Sequence, residues 1–417
     1  MSIPVVRAIR GTRDLLPPST GLWNHVEQAA RDVFRVYNYQ EIRTPLLEPT
    51  ELFARGVGQE TDIVTKEMYT FQDRDGSSLS LRPEATASVI RAYIEHRLDQ
   101  QPGLRKLYYI GPMFRRERPQ KGRYRQFFQI GAEAIGSESP AVDAEVIEMV
   151  AALFSGLGLE GQTLLLNSVG CGECRPGYLD RLRRALEPVA GSLCEDCRRR
   201  AATNPLRVLD CKVEADQPII EKLPSILDSL CQTCRTHFDA VRRRLTLAGV
   251  VFEVRPRLVR GLDYYMRTTF EVVHDSLGAQ NSVLGGGRYD GLAESLGSKT
   301  PAPGIGFSIG EDRLVATLEQ SRPGLGAHRI DLFLAPLDET AFDRCSLLAA
   351  RLRRRGKVVE LALPGRLKRV LETADKLGAR YALIVGEAEL AEDRYTLKNM
   401  TTGEQTKVSP LELESLD

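Results

Sequence analysis

The chain lacks any long apolar run. No stretch of its 417 residues approaches the roughly 18 uninterrupted apolar residues of a membrane span. The opening segment, MSIPVVRAIRGTRD, has no apolar core of the kind a secretion signal needs, so none is expected. Neither sign of charge is in excess: 57 Lys and Arg stand against 56 Asp and Glu. That balance excludes a global field for nucleic acid, so any polyanion must be met by local patches. There is no internal repeat and no low-complexity tract. These absences point to a cytoplasmic protein. In that compartment eight cysteines are expected as free thiols or metal ligands rather than as disulfides.

At 417 residues the chain should hold two or three domains, and with 42% of its residues hydrophobic it can bury a core. Periodicity predicts a helix over 22–37 with Trp23, Val26, Ala30, Val33 and Phe34 on one face. A short strand is expected at 79–81. A helix over 84–97 should open just after Pro83, with Glu84 in its first turn. Residues 107–110 and 127–130 read as strands. From Cys171 to about Leu247 come seven of the eight cysteines, many arginines and helical patterns, which together suggest an inserted module. Residues 250–317 return to strands and Gly-rich loops, and SRPGLGAH at 321–328 reads as a linker. Beyond it, strands at 330–335, 358–361 and 381–385 alternate with helices at 341–354 and 367–377. Gly378 stops the second helix, and a hairpin around 399–403 completes a small α/β domain.

Five segments could carry chemistry. Residues 114–133, FRRERPQKGRYRQFFQIGAE, hold six cations between Arg115 and Arg125: Arg115, Arg116, Arg118, Lys121, Arg123 and Arg125. Only Glu117 opposes them there. The pattern suggests a strand, a cationic loop around Pro119 and Gly122, and a returning strand. Such a hairpin holds a polyphosphate or a nucleic-acid backbone, or is simply a solvated basic turn. RPEAT at 82–86 places a carboxylate and a hydroxyl at a helix start. They could take a cationic group such as an α-ammonium, or only favour the helix dipole. LVRGLDYYMRTTFE at 258–271 carries Arg260, Asp263 and two tyrosines. Neighbouring strand tyrosines face opposite ways, so at most one enters a given pocket unless the backbone bends. LGGGRYDGL at 284–292 allows close approach of the backbone to a ligand, or a bulge or turn; lacking GK[ST], it is not a P-loop. GIGFSIGEDRL at 304–314 has three glycines suited to strand–helix packing, then Arg313 in a first helical turn, within reach of a phosphate.

Together and in this order these segments resemble the class II aminoacyl-tRNA synthetases, and within them the histidyl-tRNA synthetases. Residues 114–133 resemble that family's motif 2 and residues 304–314 its motif 3. LVRGLDYY and GGGRYDGL resemble its two histidine-specific signatures. RGTRDLLP at 10–17 and EIRTPLLEP at 41–49, a loose motif 1, also fit. The resemblance covers essentially the whole chain. It implies an α+β catalytic core built on an antiparallel sheet from residues 1–168 and 248–320, with an inserted, mostly helical module at 169–247 that approaches the tRNA acceptor arm. A linker at 321–328 and an α/β anticodon-binding domain at 329–417 would follow.

The implied reaction starts with attack of histidine on the α-phosphate of ATP, with Mg2+, giving histidyl-adenylate and pyrophosphate. The histidyl group then passes to the 3′-terminal ribose of tRNA(His). The resemblance also implies a homodimer. By motif match, Arg115 and Arg260 hold the α-phosphate from two sides, and Arg313 grips the γ-phosphate. Glu84 and Thr86, with Ala85 between them and Gln129 helping, take the histidine α-ammonium. Glu133 accepts the imidazole N–H, Tyr265 meets the other ring nitrogen and Tyr264 lies beside it. The family often has RPEGT here, so Ala85 adds a methyl group near the amino-acid site. The same core is found in a catalytically inactive paralogue that regulates ATP phosphoribosyltransferase in histidine biosynthesis. Retention of Arg115, Glu133, Arg260, Arg313 and the C-terminal domain favours the enzyme.

Two regions stay open at this level. The cysteines form three CxxC pairs, Cys171/Cys174, Cys194/Cys197 and Cys231/Cys234. The spacing of the first two suits a structural zinc. However, the family reaction needs no zinc, and three pairs exceed one tetrahedral site, so one zinc and free thiols are both consistent. Residues 329–417 carry 15 cations and 15 anions. Any RNA-binding face there would come from clusters such as 353–355 or 366–369, which could equally be solvated helix surface.

Overall fold

The computed structural model describes residues 3, 5–119 and 122–414. Lys121, one of the six hairpin cations, lies outside the described residues. The chain divides into two compact units, residues 1–326 and 327–417.

The first unit is built on an eight-stranded sheet. In spatial order its strands are Gln40–Glu41, Arg105–Phe114, Gln126–Ile135, Gly304–Gly310, Ser282–Arg288, Met266–His274, Gln162–Ser168 and Glu253–Val254. The six long strands are antiparallel, and the two-residue strands at the edges pair parallel. This order puts segments distant in sequence side by side. Gln129 and Glu133 lie opposite Gly310 and Gly306, and the triple-glycine strand runs between Gly304–Gly310 and Met266–His274.

Helices cover the sheet. Thr20–Val36 buries Leu22, Trp23, Val26, Ala30 and Phe34, the three-and-four spacing of one helical face, and leaves Val33 partly covered. Phe34 stacks on Tyr108 with ring centres 4.6 Å apart. Each such buried side chain contributes about 1.5–3 kcal/mol. Pro140–Gly156 is capped by Ser139, whose side chain accepts from the Ala141 N–H, and packs into the same core. A second cluster joins Val89, Ile90 and Tyr93 to Tyr109, Met113, Ile135 and Tyr289.

The helix expected to open at Glu84 instead spans Thr86–Glu95. Glu84 stands ahead of it, and its carboxylate accepts the N–H groups of Thr86 and Ala87 at 2.8 and 2.9 Å. The first-turn N–H groups have no intrahelical acceptor, so an acid just outside the helix serves them.

Residues 169–247 hold the helices Arg175–Leu186, Glu195–Thr203 and Gln232–Leu247 and several short turns. Tyr178, Leu182, Leu186, Val208, Ile220 and Ile226 form their core, which also takes in Val259 and Tyr265. The module is thereby packed onto the segment that carries Arg260. The cysteine spacing paired 171/174 with 194/197, but the fold does not. Cys171 and Cys174 meet Cys231 and Cys234, while Cys194 and Cys197 meet Cys211 and Asp216. The chain enters the module at the first pair and begins its last helix at the third, so those two pairs are neighbours at its base.

In the second unit, Val359–Leu361, Ile330–Pro336 and Ala379–Val385 pair in parallel, and Tyr395–Asn399 and Gln405–Val408 continue the sheet antiparallel. The last two strands are the hairpin expected around 399–403. Glu339–Arg354 and Leu367–Lys376 are the expected helices. A further helix, Glu387–Glu392, is too short to have shown a period. Among the described residues, no helix is long and apolar enough to cross a membrane.

Candidate active site

A cavity of about 760 Å3 lies in the first unit, lined by residues from each of the five segments that could carry chemistry, though by none from 10–17 or 41–49. Glu84, Thr86, Arg115, Gln129, Arg260, Tyr264, Tyr265 and Arg313 all face it. Ala85 and Glu133 do not.

The cationic side of the lining is held in place by backbone carbonyls and carboxylates. Arg115 follows the strand Arg105–Phe114, and its N–H donates to the Arg125 carbonyl at 2.9 Å, which closes the hairpin. Its Nε donates to the Pro83 carbonyl at 2.9 Å, and its guanidinium lies 5.3 Å from the centre of the Phe127 ring. Glu117, the one acid among the cations, pairs with Arg123 and lies 3.8 Å from Arg115. Arg260 pairs with Glu271 at 3.2 Å. Burial is the largest influence and would lower its pKa, but Glu271, Tyr265 and Asp210 together outweigh it and keep the guanidinium charged. Arg313 donates through Nη1 to the Ser282 carbonyl at 2.7 Å and through Nε to the Gly122 carbonyl at 3.4 Å.

Neighbouring glycines create the space for these side chains. A Cβ on Gly285 would lie 1.6 Å from Arg260 Nη2, and one on Gly306 would lie 1.7 Å from Glu133 Oε2. A Cβ on Gly304 would come within 2.5 Å of the Tyr289 ring. The glycine clusters, expected to serve backbone approach, turns or helix packing, instead make room for side chains crossing the sheet.

The other part of the lining is neutral or acidic. Gln129 is 8% exposed, and its Oε1 has no partner among the described residues. A buried amide oxygen left unpaired costs about 1–3 kcal/mol, so it is well placed for a donor in the cavity. Burial raises the Glu84 carboxyl, against the pull of the Ala87 and Thr86 N–H bonds. The two tyrosines were expected to face opposite ways. They sit in a turn just before the strand Met266–His274, so the strand rule does not yet apply and both line the cavity, with ring centres 4.6 Å apart.

Glu133 stands behind the cavity wall. It is fully buried, with the Thr86 hydroxyl donating to Oε1 at 2.7 Å and the Tyr289 hydroxyl to Oε2 at 2.6 Å. Burial pushes its carboxyl up to about 8, the hydroxyl bonds pull against this, and the Glu84 charge adds to it. Each oxygen keeps an unused lone pair. Ala85 is 1% exposed and belongs to the cluster with Val89, Ile90 and Tyr109. The core takes up its methyl group, and the cavity does not meet it.

Several residues in the lining or in contact with it carried no role in the sequence reading. Glu271 closes the Arg260 segment and becomes its partner. Arg13, inside RGTRDLLP, lies 4.0 Å from the Tyr124 ring centre, donates to the Tyr124 hydroxyl at 3.0 Å and to Asp312 Oδ1 at 2.7 Å. Asp312 Oδ2 accepts from the Phe128 N–H at 2.9 Å. Arg13 and Asp312 therefore tie the hairpin to the helix Glu311–Ser321. The signal for Arg13 was its place in a dense N-terminal motif, but no local pattern names Tyr124 or Asp312 as its partners.

The comparisons with known proteins agree with this geometry. The family model described as histidyl-tRNA synthetase matches residues 11–314, and an anticodon binding domain model matches residues 331–416. The histidine–tRNA ligase of Solibacter usitatus is 68% identical over 405 residues, 97% of each chain. That of Koribacter versatilis is 57% identical over 421 residues, covering 98% of this chain and 95% of its own. Among solved structures, apo histidyl-tRNA synthetase from S. aureus superimposes with a TM-score of 0.78 at 37% identity, covering 98% of this chain and 99% of that one. These relatives support the ligase and not the regulatory paralogue. The chain belongs to the histidyl-tRNA synthetase family.

Proposed function

We propose a division of labour among the cavity residues for the reaction this chain catalyses, the ATP-dependent joining of L-histidine to tRNA(His). A histidine carboxylate oxygen attacks the α-phosphorus of ATP in line. The bond to the bridging oxygen breaks, pyrophosphate leaves and histidyl-adenylate forms. Little covalent chemistry falls to the protein in such a step, which runs on alignment and charge stabilisation. Arg115 and Arg260 hold the α-phosphate, and Arg313 takes the γ-phosphate, with Arg123 near it. Each charge-assisted contact is worth about 1.5–3 kcal/mol. A ribose hydroxyl at the 3′ end of the tRNA then attacks the activated carbonyl and releases AMP.

Glu84, Thr86 and Gln129 receive the histidine α-ammonium, with the unpaired Gln129 Oε1 as the strongest acceptor. Tyr265 meets one imidazole nitrogen, with Tyr264 beside it. Glu133 lies behind the wall and not in the lining, so bound histidine would have to bring its other imidazole nitrogen up to it, where a lone pair that Thr86 and Tyr289 leave free would accept. A polar pocket of this kind rejects side chains that would leave its groups unpaired.

Mg2+ is expected to enter with ATP. Among the described residues the cavity carboxylates do not gather into a group of three within metal reach. The ion would therefore rest mainly on phosphate oxygens, with Glu271 offering a carboxylate. The second unit would read the anticodon region. A homodimer is supported by exposed apolar side chains at Val5, Val6, Ile9, Leu46, Leu47 and Phe71, a composition suited to a covered surface. A cytoplasmic location fits a chain whose cysteines are free.

One observation carries the reading. The guanidinium groups of Arg115, Arg123, Arg260 and Arg313 and an ammonium-type acceptor set built from Glu84, Thr86 and Gln129 share one cavity with the tyrosine pair. Histidine-dependent exchange of pyrophosphate into ATP tests it. Arg260→Ala should nearly abolish exchange while leaving the folded state intact, and normal exchange in that variant would refute the phosphate assignment.

A further inference from the structure

We infer that the inserted module holds two structural Zn2+ ions, one at its base and one in the wall of the active-site cavity. The first has Cys171, Cys174, Cys231 and Cys234 as ligands, and the second Cys194, Cys197, Cys211 and Asp216. This stands apart from the roles assigned to the cavity residues and survives if those are wrong.

Geometry is the main support. In each group the four donor atoms all lie within 4.8 Å of one another. In the first, the Sγ atoms of Cys171 and Cys174 are 3.8 Å apart, those of Cys171 and Cys231 3.8 Å, and those of Cys174 and Cys234 3.9 Å. Tetrahedral zinc with Zn–S bonds of about 2.3 Å separates its sulfurs by about 3.8 Å. A disulfide would need about 2.05 Å, and all eight cysteines are free. In the second group, Cys194 and Cys211 Sγ are 3.9 Å apart and Asp216 Oδ2 is 3.2 Å from Cys211 Sγ.

Packing of thiols as small apolar groups is the competing explanation. It does not account for Asp216, which is 1% exposed among three sulfurs. Its carboxylate accepts the Cys194 N–H at 3.1 and 3.2 Å, but no cationic side chain is paired with it among the described ion pairs. A buried carboxylate needs a compensating charge, and a divalent ion supplies it. Packing also does not explain why seven cysteines fall into closed groups of four and three, the latter completed by that carboxylate. Cys345, in contrast, lies alone in the core of the second unit. Thiolate-rich tetrahedral sets select zinc over harder ions.

The positions suggest what the ions do. Arg175, next to Cys174, donates to the carbonyls of Val169 at 3.0 Å, Gly170 at 3.3 Å and Tyr265 at 2.5 Å. The first ion would thus fix the turn that holds the tyrosine pair. Cys194 and Cys211 themselves line the cavity, as do Asp196, Arg207, Asp210 and Lys212. The second ion would shape that wall.

The test uses the full chain, purified under reducing conditions without chelator and, in parallel, reconstituted anaerobically with Zn2+. Elemental analysis should find two zinc ions per chain. X-ray absorption should show a sulfur-dominated shell near 2.3 Å with a minor oxygen contribution. Cys231→Ser and Cys211→Ser should each retain one ion, and Co2+ substitution should give thiolate charge-transfer bands. Should either variant fail to fold, stoichiometry and the ligand shell of the unaltered protein decide. One ion or fewer per chain after reconstitution, or an oxygen- and nitrogen-dominated shell, overturns the assignment.

Discussion

Gly285→Ala isolates the alignment of Arg260 from the stability of the sheet. Gly285 lies within a regular strand, opposite Glu271 on one side and Ser308 on the other. Its φ is not in the left-handed region, so alanine fits the backbone. The added methyl would lie 1.6 Å from Arg260 Nη2 and 2.2 Å from Cζ. Those atoms end a flexible side chain, so the guanidinium swings away, the pair with Glu271 breaks and the sheet stays intact. If the guanidinium makes one charge-assisted contact to the α-phosphate, its loss costs about 1.5–3 kcal/mol, about 10- to 150-fold in kcat/KM for ATP.

The assay is histidine-dependent pyrophosphate exchange with Gly285→Ala, Arg260→Ala and the double variant. If Gly285 matters only as space for Arg260, the double variant should be no slower than Arg260→Ala. Losses that multiply would refute that reasoning, as would full activity in Gly285→Ala. Gly286→Ala is the control. There a methyl meets the Phe270 ring at 2.4 Å and the Gly306 carbonyl at 2.6 Å, and the backbone oxygen cannot swing aside. That variant should lose thermal stability whether or not Arg260 is present.

Three further outcomes are expected. Glu133→Gln gives the Thr86 and Tyr289 hydroxyls one acceptor oxygen in place of two, so the KM for histidine should rise at least about tenfold while the KM for ATP holds; an unchanged histidine KM would count against the role of Glu133. Arg13→Ala unties Tyr124 from Asp312, and because Arg13 is 37% exposed the effect should be modest, about tenfold or less in the KM for ATP without change in histidine binding. Glu311 is fully buried without a hydrogen-bond partner among the described residues, and burial, with Glu27 and Asp312, pushes its carboxyl from 4.5 up to about 9. A raised folded-state value favours folding at low pH, so its contribution fades as pH climbs from about 4.5 to about 9, by at most about 1.4 kcal/mol per unit. Urea midpoints should decline less steeply over that window in Glu311→Gln, and parallel slopes would refute the assignment.

Much of the fold could be read locally. The face of Thr20–Val36, the hairpin strands and the strand–helix alternation of the second unit follow from periods within single segments, and the structure places them within a few residues of expectation. The identity of most cavity residues was legible too, because their motifs are dense. What stayed hidden depends on register between distant strands. Glu133 meets Tyr289, 156 residues away, only because the intervening strand offers Gly306 and Gly304. The tyrosine pair faces one way because the strand begins one residue later, at Met266. The cysteine pairing failed for the same reason. Spacing along the chain favoured the nearest partners, while the return of the chain through Gln232–Leu247 brings the farthest pair back to the first.

The glycines then explain why this site sits inside a sheet. Loops ordinarily carry functional side chains because they tolerate variation. Here Glu133 projects from a central strand across Gly306, and Arg260, on the loop ahead of Met266–His274, lays its guanidinium over the strand at Gly285, so both side chains rest on backbone that is paired on both sides. For a reaction run by alignment, a displacement of about 1 Å is costly, and a central strand resists it better than a loop does. Placing carboxylates in the sheet has a cost of its own, visible in the raised pKa of Glu133. The Thr86 and Tyr289 hydroxyls partly offset it, and a donor from the bound histidine would complete the offset. On this view the pocket is least comfortable without its substrate, so histidine should raise the melting temperature of the protein by more than ATP alone does. Equal shifts from the two ligands would contradict it.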